Sequence, residues 1–205
     1  MTKIKLCGLS RPCDIEVANE LKPEYVGFVF AQKSKRYIKP ETAVKLKQLL
    51  SPEIFAVGVF VNESAEKIAE LLNDGVIDIA QLHGNEDEDY IRQLKLLTDK
   101  PIIKAFRIET ASDIADAEQC SADYILLDSG AGTGTVFDWN LTQGMNRPYF
   151  LAGGLGIDNV ENAVKHLNPF GVDVSSGIET DGLKDKTKMA VFVAAVRKEK
   201  EHDKS

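Results

Sequence analysis

The sequence is short of several things, and each shortage narrows what the chain can be. Its longest apolar runs, Ile54–Val61 (counting Gly58) and Met189–Val196, are eight residues each. A helix that crosses a bilayer needs about 20. The stretch Met1–Cys7 is interrupted by Lys5 and lacks the apolar centre of a signal peptide. Positive charge is scarce: 25 Lys+Arg against 32 Asp+Glu leave a net charge of −7, which argues against the basic surface of a general nucleic-acid binder. No membrane or nucleic-acid partner is therefore expected, and a soluble cytoplasmic protein is. The three cysteines (Cys7, Cys13 and Cys120) form no Cys-x-x-Cys pair, and their odd number leaves one unpaired in any disulfide scheme. Reduced thiols are the plain reading. No set of His, Cys and carboxylates has metal-ligand spacing, so no metal is expected. Linkers and low-complexity segments are missing too. Residues 1–205 read as one domain, with a polar tail, Arg197–Ser205, expected to fray.

What the chain has instead is repetition. Runs rich in Val, Ile, Phe and Leu recur at Lys3–Cys7, Tyr25–Phe30, Phe55–Phe60, Ile77–Leu82, Pro101–Phe106, Tyr124–Asp128, Tyr149–Ala152 and Gly171–Ser175. Their starts are separated by 22, 30, 22, 24, 23, 25 and 22 residues. Between most of them apolar residues fall at helical spacing, as in Ile68/Leu71/Leu72 and Val160/Ala163/Val164/Leu167. Capping-type residues mark the starts: Ser10 before Pro12, Asn85 before Glu88, Thr110 before Asp113 and Asp158 before Glu161. Asn73-Asp74-Gly75 and Asn168-Pro169 mark stops. The sixth crossover is the weakest, since Asp138–Met145 has room only for a short helix. Strands alternating with helices imply right-handed crossovers and a parallel sheet. Eight units at near-constant spacing favour a short (β/α)8 TIM barrel in the α/β class over an open doubly wound sheet, which would carry Gly-x-Gly-x-x-Gly after its first strand.

Barrels of this kind place their active sites at the carboxyl ends of the strands. Those ends read Cys7, His83, Arg107, Asp128, Gly153-Gly154 and Ser175-Ser176-Gly177, a concentration of polar residues and glycine that points to an enzyme. The loops at Gly153-Gly154 and Ser175–Gly177 follow strands seven and eight, where this fold cradles phosphate, usually with a short extra helix. Gly153-Gly154 also fits a tight turn before a helix, with the serines merely capping, and either loop alone is a weak sign; both at adjacent strands make a phosphate site the expectation. Cys7 is either a small buried hydrophobe or a base or nucleophile, and the latter needs nearby positive charge to lower its pKa. Asp128 is either a cap for the following glycine-rich turn or an acid–base group. The glycines of Ser129–Thr135 suit either a lid or a plain flexible loop. Arg36, in Lys33–Tyr37, belongs to a solvated basic run or takes a substrate carboxylate in a two-pronged bond. His83 is a weaker candidate, since Gln81-Leu82-His83-Gly84 also reads as a hydrogen-bonded strand end. Closure sets strand eight beside strand one, and Lys5 and Asp173 are charges in otherwise apolar strands. An internal Lys5–Asp173 pair is therefore expected.

Taken together, Lys5-Leu6-Cys7-Gly8, Val26–Phe30 with Lys33–Ile38, Val57–Asn62, Gln81–Gly84, Leu127-Asp128, Phe137-Asp138-Trp139, Ala152–Leu155 and Asp173–Gly177 resemble phosphoribosylanthranilate isomerase, in order, from residue 3 to about residue 196. The resemblance implies an Amadori rearrangement in tryptophan biosynthesis. N-(5-phosphoribosyl)anthranilate becomes 1-(2-carboxyphenylamino)-1-deoxyribulose 5-phosphate, with no cofactor and no metal. It implies that Asp128 is the general acid, Cys7 the general base and Arg36 the holder of the anthranilate carboxylate. Gly153, Gly154, Ser175, Ser176 and Gly177 match the phosphate site. The expected partner is a small phosphorylated substrate, and the expected assembly a monomer or homodimer. A histidine-pathway sugar isomerase of the same fold typically has aspartate where this chain has Cys7. Indole-glycerol-phosphate synthase depends on a lysine–glutamate set and a longer chain.

Overall fold

The computed structural model describes residues 1–128, 141–142 and 145–198. Within them eight parallel strands close into a barrel, in sequence order: β1 (Lys3–Cys7), β2 (Tyr25–Val29), β3 (Phe55–Phe60), β4 (Ile79–Leu82), β5 (Ile102–Arg107), β6 (Tyr124–Asp128), β7 (Tyr149–Ala152) and β8 (Gly171–Val174). The helices are α1 (Pro12–Leu21), α2 (Pro40–Leu49), α3 (Ala65–Asn73), α4 (Glu88–Leu97), α5 (Ala111–Gln119), α6 (Val160–Leu167) and α7 (Lys186–Arg197). β1 pairs with β8, setting Lys5 opposite Asp173 and closing the sheet. No described helix is long and apolar enough to cross a membrane.

Strand alternation divides the core in two. Ile4 and Leu6 of β1, Ala56 and Phe60 of β3, Ile125 and Leu127 of β6, and Leu151 of β7 face the helices. Val57, Leu126, Phe150 and Ala152, from the same strands, fill the barrel, as the two-residue period of a strand requires. The amino-terminal end of the barrel holds an aromatic layer. Phe150 meets Tyr25, Tyr124 and Phe170 edge-on, with ring centres 5.4, 6.1 and 5.2 Å apart. At the opposite end polar side chains gather beside a small apolar cluster of Cys7, Val29 and Val59.

Helix starts differ from the sequence expectation at three of four places. Thr110 does cap α5, in a reciprocal box with Asp113. The cap of α1 is Arg11 rather than Ser10, because the Asp14 carboxylate accepts both backbone N–H groups at 3.0 Å. Asp87, not Asn85, caps α4 by accepting from the Tyr90 N–H at 2.9 Å; the Asn85 N–H instead donates to Asn62. At α6 the cap position falls on Asn159, one residue past Asp158. Helices α3 and α6 stop where expected, Asp74 and Asn168 being their last-turn caps. Much of the sixth crossover, the whole Ser129–Thr135 loop and the Phe137-Asp138-Trp139 motif lie outside the described residues, as does the tail beyond Lys198.

Candidate active site

The carboxyl ends of the strands open into a cavity of about 620 Å³. Cys7, Arg36, His83, Asp128, Gly153, Gly154, Ser175, Ser176 and Gly177 all line it. Arg107 does not; its side chain turns out to Glu109 at 2.7 Å.

Cys7 stands at the end of β1, buried beside Gly27 of β2, its register partner. A Cβ at position 27 would lie 2.6 Å from the Cys7 sulfur, so glycine there gives the thiol its room. Behind Cys7 the expected ion pair is present. Lys5 Nζ lies 3.0 Å from Asp173 Oδ2, and it also donates to Gln81 Oε1 at 2.8 Å. Lys5 is completely buried; burial pulls its pKa down, but Asp173 and the Cys7 sulfur outweigh that and hold it above the ordinary lysine value. For Cys7 the direction is opposite to what a base at rest needs. Burial pushes the thiol up and Asp173 adds to that, while Lys5 and Lys184 only partly oppose them. The positive charge is in place, and desolvation exceeds it. The other oxygen of Asp173, Oδ1, is buried with no partner of its own, and Asp173 is among the residues around the same cavity.

His83 links to Asp128 across the mouth, Nε2 to Oδ2, at 3.1 Å. Its Nδ1 is 2.8 Å from Gln81 Nε2. Lys5, Gln81, His83 and Asp128 thus form one unbroken chain of polar contacts from β1 through β4 to β6.

Arg36 reaches the cavity from the β2–α2 loop and meets Glu179 in a two-pronged bond, Nε at 2.6 Å and Nη2 at 2.7 Å. Residue type alone does not mark Glu179 and Lys184, although the sequence between them carries a signal. Asp181-Gly182 is a two-residue hairpin turn, with φ of 52° and 77°, joining β9 (Glu179–Thr180) to β10 (Leu183–Lys184). That hairpin occupies the place where a short extra helix was expected after β8. It turns Lys184 inward, where Nζ meets Glu179 Oε1 at 2.6 Å and the Ser175 carbonyl at 2.9 Å. Burial pushes Glu179 up, yet the bonds from Arg36 and Lys184 prevail and its carboxyl lies below the usual range. Of this cluster Arg36 lines the cavity, while burial pulls the pKa of Lys184 down from its ordinary value against the pull of Glu179.

The glycine loops meet as a unit. Gly153 and Gly154 take left-handed φ of 83° and 64°, and Gly156 pairs with Gly177 across the two loops. A Cβ on Gly177 would sit 2.1 Å from the Leu155 carbonyl oxygen, so only glycine permits this approach. Gly154, Ser176, Gly177 and the start of α6 then border one end of the cavity, where backbone N–H groups suit an anion. Among the described residues no cluster of His, Cys, Asp and Glu is arranged to hold a metal ion.

The sequence model of the family described as N-(5′-phosphoribosyl)anthranilate isomerase matches residues 4–195. The chain belongs to that family. An N-(5′-phosphoribosyl)anthranilate isomerase of Thermoanaerobacter pseudethanolicus is 48% identical over 207 residues, covering 96% of this chain and 98% of the relative. The crystal structure of phosphoribosyl anthranilate isomerase from Thermotoga maritima superposes with a TM-score of 0.88 at 36% identity, covering 97% of this chain and 100% of the other. A structure of such an isomerase in complex with reduced 1-(o-carboxyphenylamino)-1-deoxyribulose 5-phosphate matches with a TM-score of 0.86, again at 36% identity and over 97% and 100% of the two chains.

Proposed function

We infer that this chain carries out the reaction for which its phosphoribosylanthranilate isomerase family is named, the Amadori rearrangement of N-(5-phosphoribosyl)anthranilate in tryptophan biosynthesis, in the cytoplasm and without a cofactor. The observation that carries the reading is the meeting, in one cavity, of a thiol from β1, a carboxyl from β6, the Arg36 guanidinium and two glycine-rich loops. The substrate presents a complementary set: a sugar with a ring oxygen and an acidic C2′ hydrogen, a carboxylate and a phosphate.

Each group has a chemical task. Asp128 gives its proton to the ring oxygen. The C1′–O bond breaks, and the nitrogen lone pair forms the C1′=N bond of the iminium. Cys7, as thiolate, takes the C2′ hydrogen; the C–H electrons become the C1′=C2′ bond, and the former iminium electrons return to nitrogen. The enolamine then loses its hydroxyl proton and gains one at C1′, giving the ketone. Acid and base serve steps at different atoms, and placement on β1 and β6 brings them in from different sides of the mouth. The thiolate has to form against burial, and Lys5 and Lys184 are the charges that stabilise it.

Arg36 fits the anthranilate carboxylate although Glu179 already holds it. A guanidinium has five N–H donors, and Glu179 uses only the Nε/Nη2 edge. The Nη1/Nη2 edge is left for a second carboxylate, with Glu179 fixing its direction. Asp173 Oδ1, buried and unpartnered, suits a ribose hydroxyl as donor. The loops at Gly153-Gly154 and Ser175–Gly177 take the phosphate.

The test is turnover of substrate generated in situ, followed by anthranilate fluorescence, for the native chain, Cys7→Ala and Asp128→Ala. A positioned acid or base contributes about 10²–10⁴-fold, and each variant should lose at least that lower figure. A folded native chain without turnover would remove the functional reading; an unimpaired variant would remove only that residue's role.

A further inference from the structure

The polar chain across the barrel has a direction, and it is set from one end. Lys5 is an ammonium that donates and cannot accept, so the Gln81 atom 2.8 Å from it is the amide oxygen. The amide nitrogen therefore faces His83 Nδ1 at 2.8 Å. An amide NH₂ only donates, so Nδ1 is the acceptor and the ring hydrogen sits on Nε2, which donates to Asp128 Oδ2 at 3.1 Å. Flipping the amide would set NH₂ against a fully buried ammonium. Gln81 is only 1% exposed, and its two contacts are direct, at 2.8 Å each.

We propose that Gln81 is a positioning residue for the isomerisation: it locks His83 as the neutral Nε2–H tautomer, so that Asp128 receives a neutral hydrogen bond and not an ion pair. The proposal rests on the reading of Asp128 as the acid. An imidazolium carries hydrogen on both nitrogens, and its Nδ1–H would point at the Gln81 NH₂, donor against donor. An imidazolium next to Asp128 would hold the carboxyl ionised, and an ionised carboxylate has no proton to give to the ring oxygen. Lys5 thereby serves both ends of the reaction, favouring the Cys7 thiolate directly and fixing the Asp128 partner through Gln81.

The test is the ¹⁵N spectrum of the His83 ring at neutral pH, assigned by its loss in His83→Asn. The native chain should show protonated Nε2 and bare Nδ1. In Gln81→Glu the new carboxylate accepts from Nδ1–H, so Nδ1 should appear protonated. At the same time kcat should fall by about 10²-fold, the lower end of what a general acid supplies, while KM moves by less than about threefold. Gln81→Met, which removes both links at similar volume, should give a mixture of tautomers and a smaller kcat loss; it carries the same readout if the glutamate variant does not fold. A native ring protonated at Nδ1 overturns the proposal. So does a Gln81 variant with Nδ1 protonated and native kcat, provided Asp128→Asn is inactive in the same assay. If Asp128→Asn keeps full turnover, the assignment of the acid fails instead, and the tautomer stands as measured.

Discussion

Replacing Lys5 with methionine would leave the Asp173 carboxylate inside the barrel without its counter-charge. The two groups are 3.0 Å apart, with Lys5 fully buried and Asp173 9% exposed. At an effective dielectric of about 20, unit charges at that distance attract by about 5.5 kcal/mol. The measured cost of removing one partner from a buried pair is commonly about 3–5 kcal/mol. No second donor is at hand, because Asp173 Oδ1 already lacks a partner. Lys5→Met should therefore lower the unfolding free energy by about 3 kcal/mol or more. Asp173→Leu should cost less, about 2 kcal/mol, because the ammonium keeps Gln81 as an acceptor. With both charges gone, the double variant should return to within about 2 kcal/mol of the native chain. Urea unfolding of all four proteins, checked for equal denaturant slopes, gives the coupling energy. A Lys5→Met cost under about 1 kcal/mol, or a coupling below about 0.5 kcal/mol, would refute the reasoning.

With Cys7 as the proposed base, acting as thiolate while its thiol is pushed up by burial, kcat/KM should climb as pH rises through the alkaline range. Lys5, Asp173, Lys184 and Arg36 are the charges facing Cys7. A profile already flat below the ordinary thiol value of about 8.5 would contradict this. Glu179→Gln should raise KM more than it lowers kcat, since it unfixes Arg36, and steady-state kinetics separates the two. The same variant bears on acid stability. The Glu179 carboxyl lies below its usual range in the fold, so its stabilisation is present above the unfolded value of about 4.3 and lost as pH falls through the folded one. Glu179→Gln should flatten that part of the stability curve, and an unchanged acid limb would count against it. Gly177→Ala drives a methyl into the Leu155 carbonyl, so it should abolish protection of the fold by inorganic phosphate in thermal melts; unaltered protection would sink the assigned phosphate loops.

Much of this was legible before any coordinates, and for a physical reason. Strand and helix periodicity are local properties, so eight runs at near-even spacing, each ending in a polar or glycine residue, gave both the barrel and the face that carries the chemistry. Lys5 and Asp173 could be paired because closure fixes which strands adjoin and alternation fixes which side chains point inward. The helix caps at Arg11, Asp87 and Asn159 were misplaced by a residue or two, because which of several polar residues caps depends on backbone angles that composition does not show. Tertiary structure alone decided the rest. Burial outweighed the positive charge around Cys7, which no pattern of residue types reveals, since desolvation depends on everything packed around a group. Glu179 and Lys184 joined Arg36 only because a hairpin folded back into the mouth. The chain of contacts from Lys5 through Gln81 and His83 to Asp128 exists only where three strands bring those atoms within hydrogen-bonding distance. The sequence by itself thus determined the fold and which polar residues end the strands, which follow from local pattern; the burial, contacts and orientation of those residues depend on long-range neighbours, and only the closed barrel decided them.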